Sequence, residues 1–203
     1  MALHDVSWRP SATPLDRASA AFLADAEARI DAFFEERWQE PIVGFVPSDF
    51  ARLWPVLAAV REQELAPGDR FCEWGCGFAV VAGLAARLGF AAHGIEIERD
   101  LVEAARPLLA AHALDVALAC GSFIPPGGER LAQIKAEMAW LVTDGPDGHA
   151  LLQREPDDWD VVFAYPWPGE EHVIERLFDR YARTGALLIT WRTEKGARVQ
   201  KKR

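Results

Sequence analysis

Residues 71–79, FCEWGCGFA, determine the predicted fold of this chain. An apolar stretch ending there predicts a strand and the residues that follow predict a helix, so Gly75 and Gly77 lie in the turn between them. Glycine adopts the positive φ angles that tight turns require and allows a ligand to approach the backbone closely. The start of the helix offers unpaired N–H groups and the positive end of its dipole to an anionic group. The segment therefore predicts a nucleotide-binding turn at the beginning of an α/β domain.

Two classes of nucleotide-binding turn are compatible with this segment. The dinucleotide fingerprint is G-x-G-x-x-G/A at the start of a helix, with an acid about 20 residues further on. Gly75 and Gly77 match it, but Val80 occupies the third position, where a small residue is preferred, and Glu73 has no role in it. The sequence also has no Tyr-x-x-x-Lys pair that could relay a proton. An NAD(P)-dependent oxidoreductase is therefore the less favoured alternative.

The pattern E-x-G-x-G-x-A at residues 73–79 resembles the first motif of class I S-adenosylmethionine-dependent methyltransferases. The resemblance implies that the loop of Gly75 and Gly77 carries the methionine moiety and that Glu73 faces its ammonium group. Residues 94–106, GIEIERDLVEAAR, resemble the second motif, whose acid at the strand end binds both ribose hydroxyls. A carboxylate can accept two hydrogen bonds, and Glu96 is favoured over Glu98, which is predicted to lie in the loop. The alternative for Glu96 is a helix cap alone.

The end of the third predicted strand provides two candidate adenine contacts. Family members often have an acid at the position of Ser122, which accepts a hydrogen bond from the adenine amino group. The resemblance implies that Ser122 accepts this bond, more weakly than a carboxylate would. Phe123 would pack on the adenine ring. The alternative is that Phe123 belongs to the core and Ser122 only ends the strand.

Residues 160–171, DVVFAYPWPGEE, place aromatic residues at the end of the fourth strand. In open α/β sheets, ligands bind outside the carboxyl ends of the strands. The stretch resembles the N/D-P-P-Y motif of amino-group methyltransferases, but Ala164 replaces the leading Asn or Asp, so that acceptor class loses its support. Tyr165 and Trp167 are candidates for the acceptor pocket. They would either shape the pocket or make a cation–π contact with the sulfonium. Their alternative is core packing, and no catalytic residue is identified.

Upstream, residues 44–50, GFVPSDF, resemble a segment of non-SET lysine methyltransferases and their small bacterial relatives. The resemblance implies that this segment closes over the methionine end of the cofactor. Ser48 is predicted to be the N-cap of a helix over residues 48–64. An earlier helix, ended by Pro41, is predicted from the apolar residues Phe22, Ala26, Ile30, Phe33 and Trp38.

The whole chain, 1–203, is predicted to be one methyltransferase-like domain, with an N-terminal helical segment over 1–66 and the cofactor-binding core over 67–203. Alternating elements predict a Rossmann-like, doubly wound, mostly parallel sheet with helices on both faces. A shortened C-terminus leaves residues 198–202 as a final antiparallel strand, and the exposed sheet edge makes a homodimer plausible. The predicted core elements are strand 70–75, helix 78–88, strand 91–97, helix 99–113 bent or interrupted at Pro107, strand 116–123, helix 129–142, strand 160–165, helix 170–183 and strand 186–191.

Composition excludes several classes of partner. The formal net charge of −9 disfavours a nucleic-acid surface. No apolar run reaches about 18 residues, which predicts no membrane span. Cys72, Cys76 and Cys120 lack CxxC spacing and favour a reducing, cytoplasmic location without a disulfide or metal site.

These patterns together predict an S-adenosylmethionine-dependent methyltransferase whose acceptor, a small molecule or a protein side chain, is unknown. Methyl transfer depends on positioning the two reactants, and a general base is needed only if the acceptor arrives protonated. Candidate bases are Glu170, Glu171, His172 and Tyr165. A cofactor-binding partner protein without activity is the alternative.

Overall fold

A computed structural model of the chain describes residues 3–40, 42, 44–132, 141, 144–193 and 195–203. Seven strands form one sheet in the order β1-β7-β6-β5-β2-β3-β4. The strands are β1 (Leu3–Asp5), β2 (Arg70–Trp74), β3 (Ala91–Glu96), β4 (Val116–Cys120), β5 (Val161–Ala164), β6 (Leu187–Arg192) and β7 (Gly196–Lys202). The helices are α1 (Arg17–Glu36), α2 (Phe50–Glu62), α3 (Val80–Arg87), α4 (Arg99–Ala111), α5 (Glu129–Ala132), α6 (Gly148–Leu151) and α7 (Glu171–Tyr181).

The five central strands, β2 to β6, are parallel, as the alternation of elements predicts. Their connections cross on both sides of the sheet, so the predicted doubly wound fold is confirmed. Chain order reverses between β2 and β5, which are direct neighbours although β3 and β4 lie between them in sequence. A crevice at the carboxyl ends of β2 and β5 is therefore the expected ligand site.

The antiparallel final strand is confirmed, but its outer edge differs from the prediction. β7 pairs with β6 from Leu187↔Lys201 to Arg192↔Gly196. The N-terminal segment, predicted to be helical, also contributes β1, which pairs antiparallel with β7 from Leu3↔Lys202 to Asp5↔Gln200. A three-residue strand carries too little periodicity to be recognised in sequence. Because β1 covers this part of β7, the exposed edge that suggested a homodimer is smaller than expected, and the homodimer stays a prediction.

Several helix boundaries also differ. The N-cap of α2 is Asp49, whose carboxylate accepts the Arg52 N–H at 3.2 Å, so the prediction of Ser48 as the cap is wrong by one residue. α1 ends at Glu36, before Trp38, which is 77% exposed. α4 continues through Pro107.

One predicted helix is described only in part. Of the prediction over 129–142, residues 129–132 form α5, whereas Ile134 and Met138 lie outside the described residues. The short helix α6 was not predicted.

Buried side chains form one core cluster on each face of the sheet. Successive strand residues point to opposite faces, so in β2 Phe71 joins the cluster under α1–α4 while Cys72 and Trp74 join the cluster under α7. The N-terminal helices contribute Phe22 and Leu57, both fully buried, to the first cluster. None of the described helices is long and apolar enough to cross a bilayer.

Candidate active site

A cavity of about 170 Å³ opens at the carboxyl ends of the central strands. The end of β2, the β2–α3 turn and the end of β3 form one side of it, and the end of β5 with the segment before α2 forms the other. Every predicted site residue except Gly77 lines it. The lining includes Phe45, Val46, Pro47, Ser48, Glu73, Trp74, Gly75, Cys76, Glu96, Glu98, Ser122, Phe123, Ala164, Tyr165, Pro166, Trp167 and Glu170.

The β2–α3 turn has the conformation that its glycines predict. Gly75 and Gly77 have φ angles of +69° and +52°, and the following Ala79 has +55°. The backbone N–H groups of Gly75 and Cys76 donate to the Ile95 carbonyl oxygen at 2.9 and 3.1 Å, which fixes the turn to β3. A Cβ at Gly75 would meet no atom within 4 Å, so this residue borders open space. Gly77 instead lies against Phe45, whose Cε2 would be 2.5 Å from an added Cβ.

Glu73 is buried in the cavity wall, 5% exposed. Its Oε2 accepts the Ala82 N–H at 2.8 Å, in the first turn of α3. The N-cap residue of that helix, Ala79, has no side-chain cap, so Glu73 supplies one from the neighbouring strand. Burial raises the pKa of Glu73 well above its ordinary value; the Ala82 hydrogen bond opposes this shift and the nearby Glu96 carboxyl adds to it.

Glu96, 6% exposed, joins the strand end to the glycine turn. Its Oε2 accepts the Gly77 N–H at 2.8 Å and its Oε1 accepts the Glu98 N–H at 2.9 Å. It is therefore not simply a cap of α4, because one of its bonds goes to the turn 19 residues earlier. Burial raises the pKa of Glu96, and its hydrogen bonds to backbone amides oppose that shift.

Ser122 and Phe123 follow β4 at the same edge of the sheet. Ser122 is 4% exposed, and its Oγ accepts the Ile124 N–H at 3.1 Å. The Phe123 ring stacks on Trp74, with centroids 5.2 Å apart and planes 7° from parallel. Among the described residues, no hydrogen-bond partner reaches the buried Trp74 Nε1. Sequence reasoning missed Trp74 because it stands at a variable position of the glycine motif.

A buried histidine fixes the backbone of Phe123. The Trp159 indole N–H donates to His149 Nδ1 at 3.0 Å, and an indole nitrogen is only a donor. Nδ1 is therefore the acceptor, and His149 Nε2 carries the proton that it donates to the Phe123 carbonyl oxygen at 2.9 Å. Burial lowers the pKa of His149, which keeps this tautomer neutral. No motif marks the pair in the sequence, since residues 149 and 159 meet only in the fold.

Tyr165 and Trp167 form the opposite wall. Both are partly exposed and each has a long-range side-chain contact. The Tyr165 hydroxyl lies 2.7 Å from Thr193 Oγ1, and Trp167 Nε1 donates to the Gly44 carbonyl oxygen at 3.2 Å. Residues 44–48 line the cavity next to this wall, and the closure of this segment over the methionine end of the cofactor stays a prediction.

The candidate bases separate into different environments. Glu170 is buried at the cavity, and its Oε2 accepts the Trp167 N–H at 3.3 Å. His172 is exposed on α7 and lines neither this cavity nor the neighbouring one. Burial raises the pKa of the Cys72 and Cys76 thiols, which keeps both protonated and agrees with their packing role.

Comparison with known proteins identifies the fold. No protein-family model matches the sequence. A search of curated proteins also finds no match. An RNA methyltransferase from Salinibacter ruber, in complex with S-adenosyl-L-homocysteine, superposes with a TM-score of 0.50 at 17% identity, over 77% of this chain and 92% of that one. An O-methyltransferase from Bacillus cereus, in complex with SAH, superposes with a TM-score of 0.50 at 16% identity, over 88% of this chain and 67% of that one. The chain has the Rossmann-like fold of class I S-adenosylmethionine-dependent methyltransferases.

Proposed function

We propose that this protein is an S-adenosylmethionine-dependent methyltransferase. The observation that carries the proposal is the glycine turn placed between two buried carboxyls, Glu73 and Glu96, at the chain reversal of a methyltransferase fold. Fold alone does not determine function. Among the described residues, the site adds open space at Gly75 and a buried indole N–H of Trp74 that has no hydrogen-bond partner. Glu73 suits the ammonium group of such a cofactor, and Glu96 suits its ribose hydroxyls.

The residues divide the cofactor between them. The turn of Gly75 and Gly77 would carry the methionine part, with Glu73 facing its ammonium group. Glu96 would accept the ribose hydroxyls through the lone pairs that its two amide bonds leave free. Ser122 and Phe123 would contact the adenine, with Phe123 held against Trp74 on one ring face. These five assignments form the proposed cofactor site.

The chain's own task in the reaction is to hold the acceptor in line with the sulfonium methyl. The bound cofactor would supply a methyl group for the acceptor's lone pair, and its sulfur would take back the electron pair of the broken carbon–sulfur bond. A proton leaves only if the acceptor carries one, and Glu170 and Tyr165 are the candidate bases that line the cavity. Tyr165 and Trp167 are the proposed acceptor wall.

Charge, local sequence pattern and cysteine content bear on the class of methyl acceptor and on the cellular location. The two solved structures above include an RNA methyltransferase and an O-methyltransferase, so the shared fold does not select an acceptor. The net charge of −9 favours a small molecule or a protein side chain over a nucleic acid. The lysine methyltransferase-like branch stays a prediction that rests on residues 44–50. Three unpaired cysteines favour the cytoplasm.

Calorimetric titration tests the proposal and the role of Glu96 together. Wild-type protein should bind S-adenosylmethionine and S-adenosylhomocysteine, and neither NAD nor NADP. Glu96→Gln should weaken binding by about 10- to 100-fold, the effect of losing a hydrogen bond to a charged group. It should also lower the melting temperature, because Glu96 serves two buried amides and a glutamine side chain offers one oxygen.

The neighbouring Glu98→Gln is the matched control. Glu98 lines the same cavity but is exposed, so its variant should bind and melt as the wild type does. Heat on adding NAD, with none on adding either adenosyl ligand, would overturn the proposal. Binding of S-adenosylhomocysteine without transfer to any metabolite or peptide tested would favour the cofactor-binding partner protein.

A further inference from the structure

A second cavity adjoins the cofactor cavity across the Tyr165–Trp167 wall. Its volume is about 670 Å³, against about 170 Å³ for the cofactor cavity. The two cavities share the residues Gly44, Val46, Tyr165, Pro166 and Trp167. The same side chains therefore border both spaces, and a molecule in the second cavity lies next to whatever occupies the first.

The lining of the second cavity has an apolar part and a basic part. The apolar part is the shared wall, extended by Pro168. The basic part comes from the end of β6, the following turn and β7, which supply Arg192, Lys195 and Arg198 with the hydroxyls of Thr190 and Thr193. Two carboxyls, Glu171 and Glu175, also lie in the lining.

Ion pairing within the described residues leaves two cations and one carboxyl, Glu171, of this lining without an opposite charge. Arg198 contacts Asp5 at 2.7 Å and Glu175 at 2.5 Å, so its charge is already neutralised. Glu171 Oε2 accepts the Gly169 N–H at 2.8 Å. Within the described part of the chain, neither Arg192 nor Lys195 has a carboxylate within ion-pair distance. Arg192 Nε is moreover buried without a hydrogen-bond partner there.

Guanidinium presents its donors in a planar fork that matches a carboxylate, and such bonds are stronger than those between neutral groups. Tyr165 and Trp167 present aromatic surface to the rest of the ligand. The lining therefore favours a ligand that has an anionic group at one end and a planar, apolar body.

We infer that the second cavity is the acceptor site of the proposed methyltransferase and that it takes a small aromatic acid. Arg192 and Lys195 bind its carboxylate, and Tyr165 and Trp167 contact its ring. The inference rests on the proposed function, because only a cofactor in the first cavity makes the neighbouring molecule an acceptor. The shared wall brings the two reactants to adjoining positions, which is the condition for transfer.

Ligand-observed NMR titration of the protein saturated with S-adenosylhomocysteine tests this inference. The probes are benzoate and indole-3-acetate, each compared with its neutral primary amide, and phenyl phosphate. Each acid should bind at least about tenfold more tightly than its amide, a difference of about 1.4 kcal/mol. A higher affinity for phenyl phosphate than for either acid would show that a phosphate is the preferred anion and overturn the carboxylate assignment.

Substitutions locate the anion within the cavity. Arg192→Gln should remove most of the preference for acid over amide, and Lys195→Gln should reduce it. The control is Arg203→Gln, which changes the net charge equally at an exposed residue outside both cavities. It should retain the full preference, which separates a local contact from a general effect of charge.

The outcomes separate the inference from the function on which it rests. If S-adenosylhomocysteine binds but acids and amides bind equally, or not at all at millimolar concentration, the acceptor assignment is wrong and the proposed function stands. Retention of the preference in Arg192→Gln would also overturn the assignment. If S-adenosylhomocysteine fails to bind, the proposed function is wrong, and a preference measured without it would leave only an anion-binding cavity.

Discussion

The two sides of the cofactor cavity are built by different kinds of contact. On the glycine side, carboxyls from adjacent strands accept backbone N–H groups, Glu73 from Ala82 and Glu96 from Gly77 and Glu98. The opposite wall depends on side chains that reach across the fold, with Tyr165 and Thr193 separated by 28 residues and Trp167 and Gly44 by 123. On the glycine side the proposed cofactor contacts and the contacts that stabilise the fold therefore involve the same residues, whereas on the proposed acceptor side they involve different ones.

Two tryptophans give the largest expected contrast. Trp159 is fully buried beneath the sheet, and Trp159→Ala should lower the free energy of unfolding by about 3–5 kcal/mol, as for core tryptophans in general. Trp167 is partly exposed and its indole N–H donates to the Gly44 carbonyl oxygen, so Trp167→Ala should cost much less, on the order of 1 kcal/mol for the lost hydrogen bond. Denaturant unfolding of both variants measures the difference.

The same pair tests whether the acceptor wall is functional. Trp167→Ala should bind S-adenosylhomocysteine with nearly wild-type affinity and lose methyl transfer to the acceptor. Equal destabilisation by the two substitutions would show that Trp167 belongs to the core. Transfer at the wild-type rate in a folded Trp167→Ala variant would remove it from the acceptor wall.

A second contrast lies within the glycine turn. Gly75 and Gly77 both have positive φ, where alanine costs about 1–2 kcal/mol. Only Gly77 adds a clash, with Phe45, which is held in a stack between Phe34 and Phe78. Overpacking of this kind costs a further 1–3 kcal/mol or so. Gly77→Ala should therefore be clearly less stable than Gly75→Ala in thermal melts.

For ligand binding, Gly75 should be the more sensitive of the two glycine positions. A methyl group at Gly75 would project into open space at the cavity, where the cofactor is proposed to lie, so Gly75→Ala should weaken S-adenosylhomocysteine binding more than it weakens the fold. Unchanged affinity in Gly75→Ala would mean that the turn does not contact the cofactor.

The contrast between the two walls also explains what the sequence could predict. Residues 71–98 carry the turn, both strand ends and both carboxyls within one βαβ unit, whose geometry follows from local pattern, so Glu73 and Glu96 could be placed at the cavity. The hydrogen bond that Glu96 accepts from Gly77 could not be predicted, because it depends on the register of β2 and β3. The sequence pattern placed Tyr165 and Trp167 at a strand end. It could not predict their hydrogen bonds with Thr193 and Gly44.

Three further features needed the folded chain. β1 is too short to show alternation and is defined by its partner β7. Asp49 and Ser48 are both good N-cap residues, so the choice between them depends on where the backbone enters α2. Arg192 and Lys195 belong to no recognisable motif, and only the β6–β7 turn places them in the second cavity.

The pH dependence of stability tests the glycine side directly. Burial raises the folded-state pKa of Glu73 well above its value of 4.5 in unfolded protein. A raised pKa means that the carboxyl's contribution to stability is complete below pH 4.5 and is lost as pH rises through the folded-state pKa. Glu73→Gln retains an oxygen for the Ala82 N–H but cannot titrate. Melting temperatures measured from pH 4 to 8 should therefore show the wild type losing stability relative to this variant as pH increases.

An exposed carboxyl with the opposite shift provides the control. Hydrogen bonds from Ser11 and Thr13 lower the pKa of Glu62, so its contribution is lost as pH falls, and Glu62→Gln should show the reverse trend. Cofactor binding extends the test, because a cation facing Glu73 favours its ionised form. At a pH below the folded-state pKa, binding should release a proton from the wild type and not from Glu73→Gln. Calorimetry in buffers of different ionisation enthalpy measures that proton, and equal release from both proteins would place the ammonium group away from Glu73.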